Sequence, residues 1–167
     1  MILSSAGHRD PSRRSRGPSH FRRRTVVHAC HHDHGPALDP LTGLSARDAL
    51  ESLLAAGGPI ACVLVDVVGL KQTNALQGFT AGDTLLRLAA ERLRSLAPDA
   101  RLLARLGGDE LVAVFLGPVA AARAAETSAA ATAPQSPPLR AAWTALLEGE
   151  LPGELFDRLY AAARGGA

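Results

Sequence analysis

The stretch "ARLGGDELVAVF" (residues 104–115) decides the fold. Two apolar runs, "RLLARL" and "LVAVFL", flank Gly107, Gly108, Asp109 and Glu110. Short apolar runs separated by glycines and acids predict two antiparallel strands joined by a tight turn. The turn carries two carboxylates. Gly107 and Gly108, lacking a Cβ, let the backbone approach a bound molecule closely.

Upstream, "IACVLVDVV" (60–68) is a near-continuous β-branched run, the pattern of a strand buried on both faces. Asp66 stands at its end and is expected to emerge at the sheet edge. If this strand neighbours the hairpin, Asp66, Asp109 and Glu110 converge. Carboxylate oxygens so placed suit Mg²⁺ (or Mn²⁺), which takes one or two carboxylates plus substrate phosphates. Lys71, the only lysine, is placed to meet a phosphate as a point charge. Asn74 and Asp83 offer an amide and a carboxylate suited to a purine edge.

Ser45 is a plausible N-cap, with Asp48 at the third helical position and Ala49, Leu50, Leu53 and Leu54 forming one apolar stripe. "LKQTNALQ" predicts a short helix. The run from Thr80 is amphipathic, with Leu85, Leu88, Ala89, Leu93 and Leu96 on one side. "PVAAARAAETSAAATA" predicts an Ala-rich helix, "LRAAWTALLEG" a last strand and "ELFDRLYAAAR" a terminal helix. The order is α–β–α–α–β–β–α–β–α, which implies an α+β domain with helices packed on an antiparallel-containing sheet.

The chain has 167 residues, 47% of them hydrophobic and only 4% aromatic, so its core must be built from Leu, Val and Ala. The net charge of +2 conceals a split. Residues 1–36 hold seven arginines and two acids, while the remainder is mildly acidic. We expect residues 1–37 to form a disordered basic arm and residues 38–167 to form the domain. "HACHHDHG" (28–35) has one cysteine and no second cluster at finger spacing, so no specific metal site is expected there. Nucleic acid is not the expected partner. Two cysteines, Cys30 and Cys62, make no disulfide framework. No run approaches the ~18 apolar residues of a membrane span, and no signal-peptide h-region is visible. A cytoplasmic protein is expected.

Three blocks together resemble the GGDEF domain, the diguanylate cyclase family. "DPLTGLSAR" (39–47) resembles the entry motif Asp-x-Leu-Thr-Gly-Leu-x-Asn-Arg. "DVVGLKQTNALQGFTAGDTLL" (66–86) resembles Asp-x-Asp-x-Phe-Lys-x-Ile-Asn-Asp-x-x-Gly-His-x-x-Gly-Asp-x-x-Leu. "RLGGDEL" (105–111) resembles Arg-x-Gly-Gly-Asp-Glu-Phe. The resemblance implies a nucleotidyl-cyclase-like, palm-like sheet with the GGDEL motif on a hairpin. It implies that Asp66 and Asp109, with the Val67 carbonyl, hold divalent metal, and that Asp109 and Glu110 form the catalytic signature. Asn74 and Asp83 would bind guanine. Lys71 and Arg105 would meet phosphates, with Gly107 and Gly108 against the nucleotide. The implied reaction joins two GTP molecules into cyclic di-GMP across a homodimer.

The chain also departs from that pattern. Val68 replaces the second acid of Asp-x-Asp, Ala75 an Asp and Phe79 a His. Leu111 stands for Phe. In the terminal "LYAAARGGA", Ala163 and Ala167 stand where the family carries a Lys and an Arg that grip the β- and γ-phosphates. Arg164 is expected to point elsewhere, about 100° around the helix. Pro98 and Arg101 occupy the positions of the product-inhibition Arg-x-x-Asp. The family's Ser-Ile-Gly strand motif is unrecognisable, and the segment between hairpin and last strand is short. Two readings follow: a weakened diguanylate cyclase, or a catalytically inactive GGDEF domain acting as a nucleotide-binding or protein-interaction module.

Overall fold

Nine elements follow one another, in the predicted order, in a computed structural model that describes residues 37–165. They are α1 (Arg47–Ala55), β1 (Ile60–Val67), α2 (Leu70–Gln77), α3 (Phe79–Leu96), β2 (Leu102–Gly107), β3 (Glu110–Leu116), α4 (Ala120–Thr132), β4 (Leu139–Ala145) and α5 (Pro152–Gly165). The expected N-terminal arm, its His-rich segment, Cys30 and Ala167 lie outside the described residues.

The strands form one sheet in the order β2-β3-β1-β4, and every adjacent pair is antiparallel. β1 is therefore central, which explains its unbroken apolar run. Its side chains alternate between two helical layers. Ala61, Val63, Val65 and Val67 face a core that includes Leu86, Ala89, Ala90 and Leu93 of α3 and Ala120 and Ala124 of α4. Ile60, Cys62 and Leu64 face a second core with Leu50 and Leu54 of α1 and Leu155 and Leu159 of α5. Each large aliphatic side chain fully buried this way contributes about 1.5–3 kcal/mol. Cys62 is a free, buried core residue, and burial pushes its thiol up to about 12. Among the described residues no helix is long and apolar enough to cross a membrane.

The start of α1 differs from expectation. Ala46, not Ser45, occupies the N-cap, and no side chain caps the helix. The backbone of Ser45 instead pairs with β2: its N–H donates to the Leu103 carbonyl at 2.9 Å, and its carbonyl accepts from the Arg105 N–H at 2.9 Å. A ladder bond at an open sheet edge has displaced a local cap.

Candidate functional site

Antiparallel register brings three charged residues into one row. Glu110 on β3 pairs with Asp66 on β1, and Asp66 pairs with Arg140 on β4. Directly opposed residues in such a ladder project to the same face. Asp66 shares the parity of Cys62 and Leu64, so the row lies on the α5 side. Tyr160, Ala163 and Arg164 of α5 close over it. With Leu64 and the three row residues they line a cavity of about 300 Å³.

The hairpin turn adds Asp109. The Val67 N–H donates to the Asp109 carbonyl at 3.0 Å, which ties the turn to the end of β1. Gly108 at φ +51° and Gly107 at φ +148° make this two-residue turn feasible, since both conformations are strained for residues with a Cβ. Burial pushes the Asp66 carboxyl above the usual carboxylate range. The negative charge of Asp109 pushes it further, Arg140 pulls it back, Glu110 raises it and Lys71 lowers it. Burial is thus the main cause, with the neighbouring carboxylates adding to it and the two cations opposing it. The Tyr160 hydroxyl donates to Glu110 Oε2 at 3.0 Å, so one carboxylate oxygen of that residue is already oriented. Burial, then this hydrogen bond, raises the Tyr160 phenol above its ordinary value.

Among the described residues no three His, Cys, Asp or Glu side chains form a ready-made metal cage. The donor set nevertheless fits a hard divalent cation. Asp66, Asp109 and Glu110 stand at one end of the sheet, and one or two of their carboxylates are what Mg²⁺ takes from a protein when substrate phosphates and water complete its shell.

Asn74 and Asp83 stand on α2 and α3, which pack against each other, and both are half-buried. The contact depends on Gly82, which is buried in α3: a Cβ there would run into the Asn74 amide oxygen. Neither residue lines the cavity beneath α5, so a ligand touching both regions must reach across the end of β1. Lys71, exposed in the first turn of α2, lies between Asp66 and Asn74 in sequence and acts on Asp66 through its charge.

Arg105 lies outside that cavity. Its Nε and Nη2 donate to the Gly108 carbonyl at 3.1 and 2.7 Å, and its Nη1 donates to Asp39 Oδ1 and Oδ2 at 3.3 and 3.2 Å. Asp39 Oδ1 also accepts from the Thr42 N–H and hydroxyl at 2.8 and 2.7 Å. Burial pushes the Asp39 carboxyl up, but the Thr42 hydrogen bonds and the Arg105 charge hold it below the usual range. Arg105 thus fastens the hairpin turn to the "DPLTGL" entry segment. Pro98 and Arg101 precede β2, at the opposite end of the hairpin from its turn.

Sequence reasoning missed Arg140 and Tyr160, whose roles depend on β1–β4 register and on how α5 lies across the sheet. It also misplaced Arg164, which lines the same cavity as Ala163. The reason is its long side chain. Helical side chains lean toward the N-terminus, and Arg164 Nε donates to the Tyr160 carbonyl at 3.2 Å, four residues back.

The family model described as "Diguanylate cyclase, GGDEF domain" matches residues 36–145. The chain belongs to the GGDEF domain family. Proteins of this family bind GTP and generally use a divalent metal. An uncharacterized protein of Mycobacterium tuberculosis is 39% identical over 89 residues, covering 50% of this chain and 14% of that protein. The diguanylate cyclase TpbB of Pseudomonas aeruginosa is 35% identical over 104 residues, covering 58% of this chain and 22% of TpbB. The chain therefore spans a small part of the length of these relatives. A solved structure of the TpbB GGDEF domain from Pseudomonas aeruginosa superposes with a TM-score of 0.64 at 26% identity, covering 78% of this chain and 90% of that one. The family match ends at the last residue of β4, so α5, which roofs the cavity, lies beyond it.

Proposed function

We propose that this GGDEF domain binds GTP and, paired face to face with a second copy, joins two GTP molecules into cyclic di-GMP. The observation that carries the reading is the convergence of Asp66, Glu110 and Asp109, from a strand end and a hairpin turn, at one end of the sheet. Guanine is read by Asn74 and Asp83 between α2 and α3. The triphosphate crosses the end of β1 past Lys71. Asp66 and Asp109, with the Val67 carbonyl, would hold Mg²⁺ or Mn²⁺, which when bound supplies positive charge to the phosphoryl oxygens and acidifies the attacking hydroxyl. Glu110, in the same row as Asp66, accepts a hydrogen bond from the Tyr160 hydroxyl on one oxygen, which leaves its other oxygen available to the site.

Each 3′-hydroxyl attacks the α-phosphorus of the other nucleotide in line. An O3′–P bond forms, the bond from phosphorus to the β-phosphate bridging oxygen breaks, and pyrophosphate leaves. Two such steps close the ring. The domain's part is positioning and charge stabilisation, as in phosphoryl transfer generally. A single copy offers one half-site, so the reaction requires a homodimer.

A second reading, a catalytically silent regulatory module that binds nucleotide or a protein partner, is favoured by Val68 and Ala163 at positions where the family's pattern carries an acid and a cation. Incubation of the full chain with GTP and Mg²⁺ or Mn²⁺, followed by chromatography, separates the two. Cyclic di-GMP formation that Asp109→Asn abolishes supports the cyclase. GTP binding without product supports the silent module.

A further inference from the structure

The cavity beneath α5 is richer in cations than its helix sequence suggests. Arg140 enters from β4, directly across from Asp66, and Arg164 from the last turns of α5. Both side chains are exposed, and among the described residues neither forms an ion pair. Other arginines are engaged elsewhere: Arg105 with Asp39, Arg123 with Asp99 and Glu126, Arg158 with Glu150. The two guanidinium groups, free of ion pairs although Arg164 Nε donates to the Tyr160 carbonyl, therefore share a cavity of about 300 Å³ with Asp66, Glu110 and Tyr160. The cavity is large enough for a short chain of phosphates. Its second feature is the small Ala163, which leaves room where a longer side chain would project.

We propose that Arg140 and Arg164 form this chain's own grip on the phosphate chain of a nucleoside polyphosphate, relocated from the positions now held by Ala163 and Ala167. A guanidinium presents a planar fork of N–H donors that matches phosphate oxygens two at a time, so two such groups from different elements can hold consecutive phosphates. Arg140 lies in the row of Asp66 and Glu110. A phosphate it holds is therefore delivered to the edge of the carboxylate cluster. The two arginines make the domain prefer a triphosphate over a monophosphate, which the residues at 163 and 167 do not. This inference rests on the nucleotide-binding reading for its natural ligand, but the anion site can be probed without a nucleobase.

The test is calorimetry on the full chain with three probes in the presence of Mg²⁺: inorganic tripolyphosphate, GTP and GMP. The proteins are the parent, Arg140→Gln with Arg164→Gln, and Asn74→Ala. We expect the double arginine variant to bind tripolyphosphate and GTP at least tenfold more weakly while GMP changes less than threefold. Its thermal midpoint should match the parent's, because both side chains are exposed. Equal binding of tripolyphosphate and GTP by parent and double variant would overturn the proposal, as would an equal loss for GMP or no tripolyphosphate binding by the parent. Failure of the nucleotide reading looks different. Then Asn74→Ala leaves GTP binding untouched and GMP does not bind, while tripolyphosphate binding still depends on the two arginines.

Discussion

The α2–α3 side of the site and the α5 side pack against opposite faces of one sheet, yet they are built in different ways. On the first, Lys71, Asn74, Gly82 and Asp83 of the family pattern are present in order, although Ala75 and Phe79 depart from it. Gly82 is needed because Asn74 presses against it. On the second, the pattern's cations are gone, and Arg140, Tyr160 and Arg164 line the cavity instead. The first kind of site depends on close backbone approach between α2 and α3, so few residue types fit. The second depends on long side chains reaching a shared space, and a long flexible side chain can reach it from several backbone positions. A packed recognition surface is fixed residue by residue, whereas an electrostatic one can be rebuilt from elsewhere.

The sharpest way to break this comparison is to remove the group both sides depend on. Asp109→Asn should lower cyclic di-GMP formation by roughly 100-fold or more, the scale lost when a phosphoryl-transfer site loses metal-borne charge stabilisation. Chromatography of the products reads the loss. A variant that retains most activity would mean that the turn carboxylate is not part of the reacting centre.

Next comes the packed side. Gly82→Ala should destabilise the domain by about 1–3 kcal/mol, because the added Cβ meets the Asn74 side chain in a close-packed helix contact. Denaturant unfolding measures the cost. Weakened GMP binding should accompany it, since Asn74 must move. A neutral substitution would show that α2 and α3 have slack and that the tolerance ascribed to the α5 side is general.

The electrostatic side should respond less. Ala163→Lys adds a cation to a cavity already lined by two arginines, so we expect GTP binding to strengthen about tenfold at most, with GMP nearly unchanged. Calorimetry decides, and an equal gain for GMP would place the new charge away from the phosphate chain.

The smallest effect concerns stability. Burial and the neighbouring Asp109 charge raise the Asp66 carboxyl above its ordinary value of 3.8, so the folded protein holds this proton more tightly than the unfolded chain. The ionised carboxylate therefore costs stability as pH rises through 3.8 and beyond. Asp66→Asn should raise the thermal midpoint at neutral pH by on the order of 1–2 °C, while the gain disappears below pH 3.8, where Asp66 is protonated in both states. Asp39 has the opposite sign. Its depressed pKa means that the Arg105 tie stabilises the fold above pH 3.8 and is lost as pH falls through the lower folded value. Scanning calorimetry across acid pH distinguishes the two: a midpoint lowered by Asp66→Asn at neutral pH would contradict the crowding of carboxylates in the row.

By itself, the sequence determined the order of elements, the central buried strand, the hairpin with its acidic turn and the helices bearing Asn74 and Asp83. These follow from local information: hydrophobic period, glycine placement and the spacing of motif residues along a few turns of chain. Only the tertiary structure decided that Arg140 stands opposite Asp66, because register between β1 and β4 couples residues 74 positions apart. It likewise decided that Ser45 pairs with β2 rather than capping α1, and that Arg105 fastens the hairpin turn to Asp39. Arg164 turned back into the cavity although its helical position pointed away from Ala163. A helix fixes where a Cβ points, but where an arginine's charge comes to rest, several bonds further on, depends on its neighbours in space.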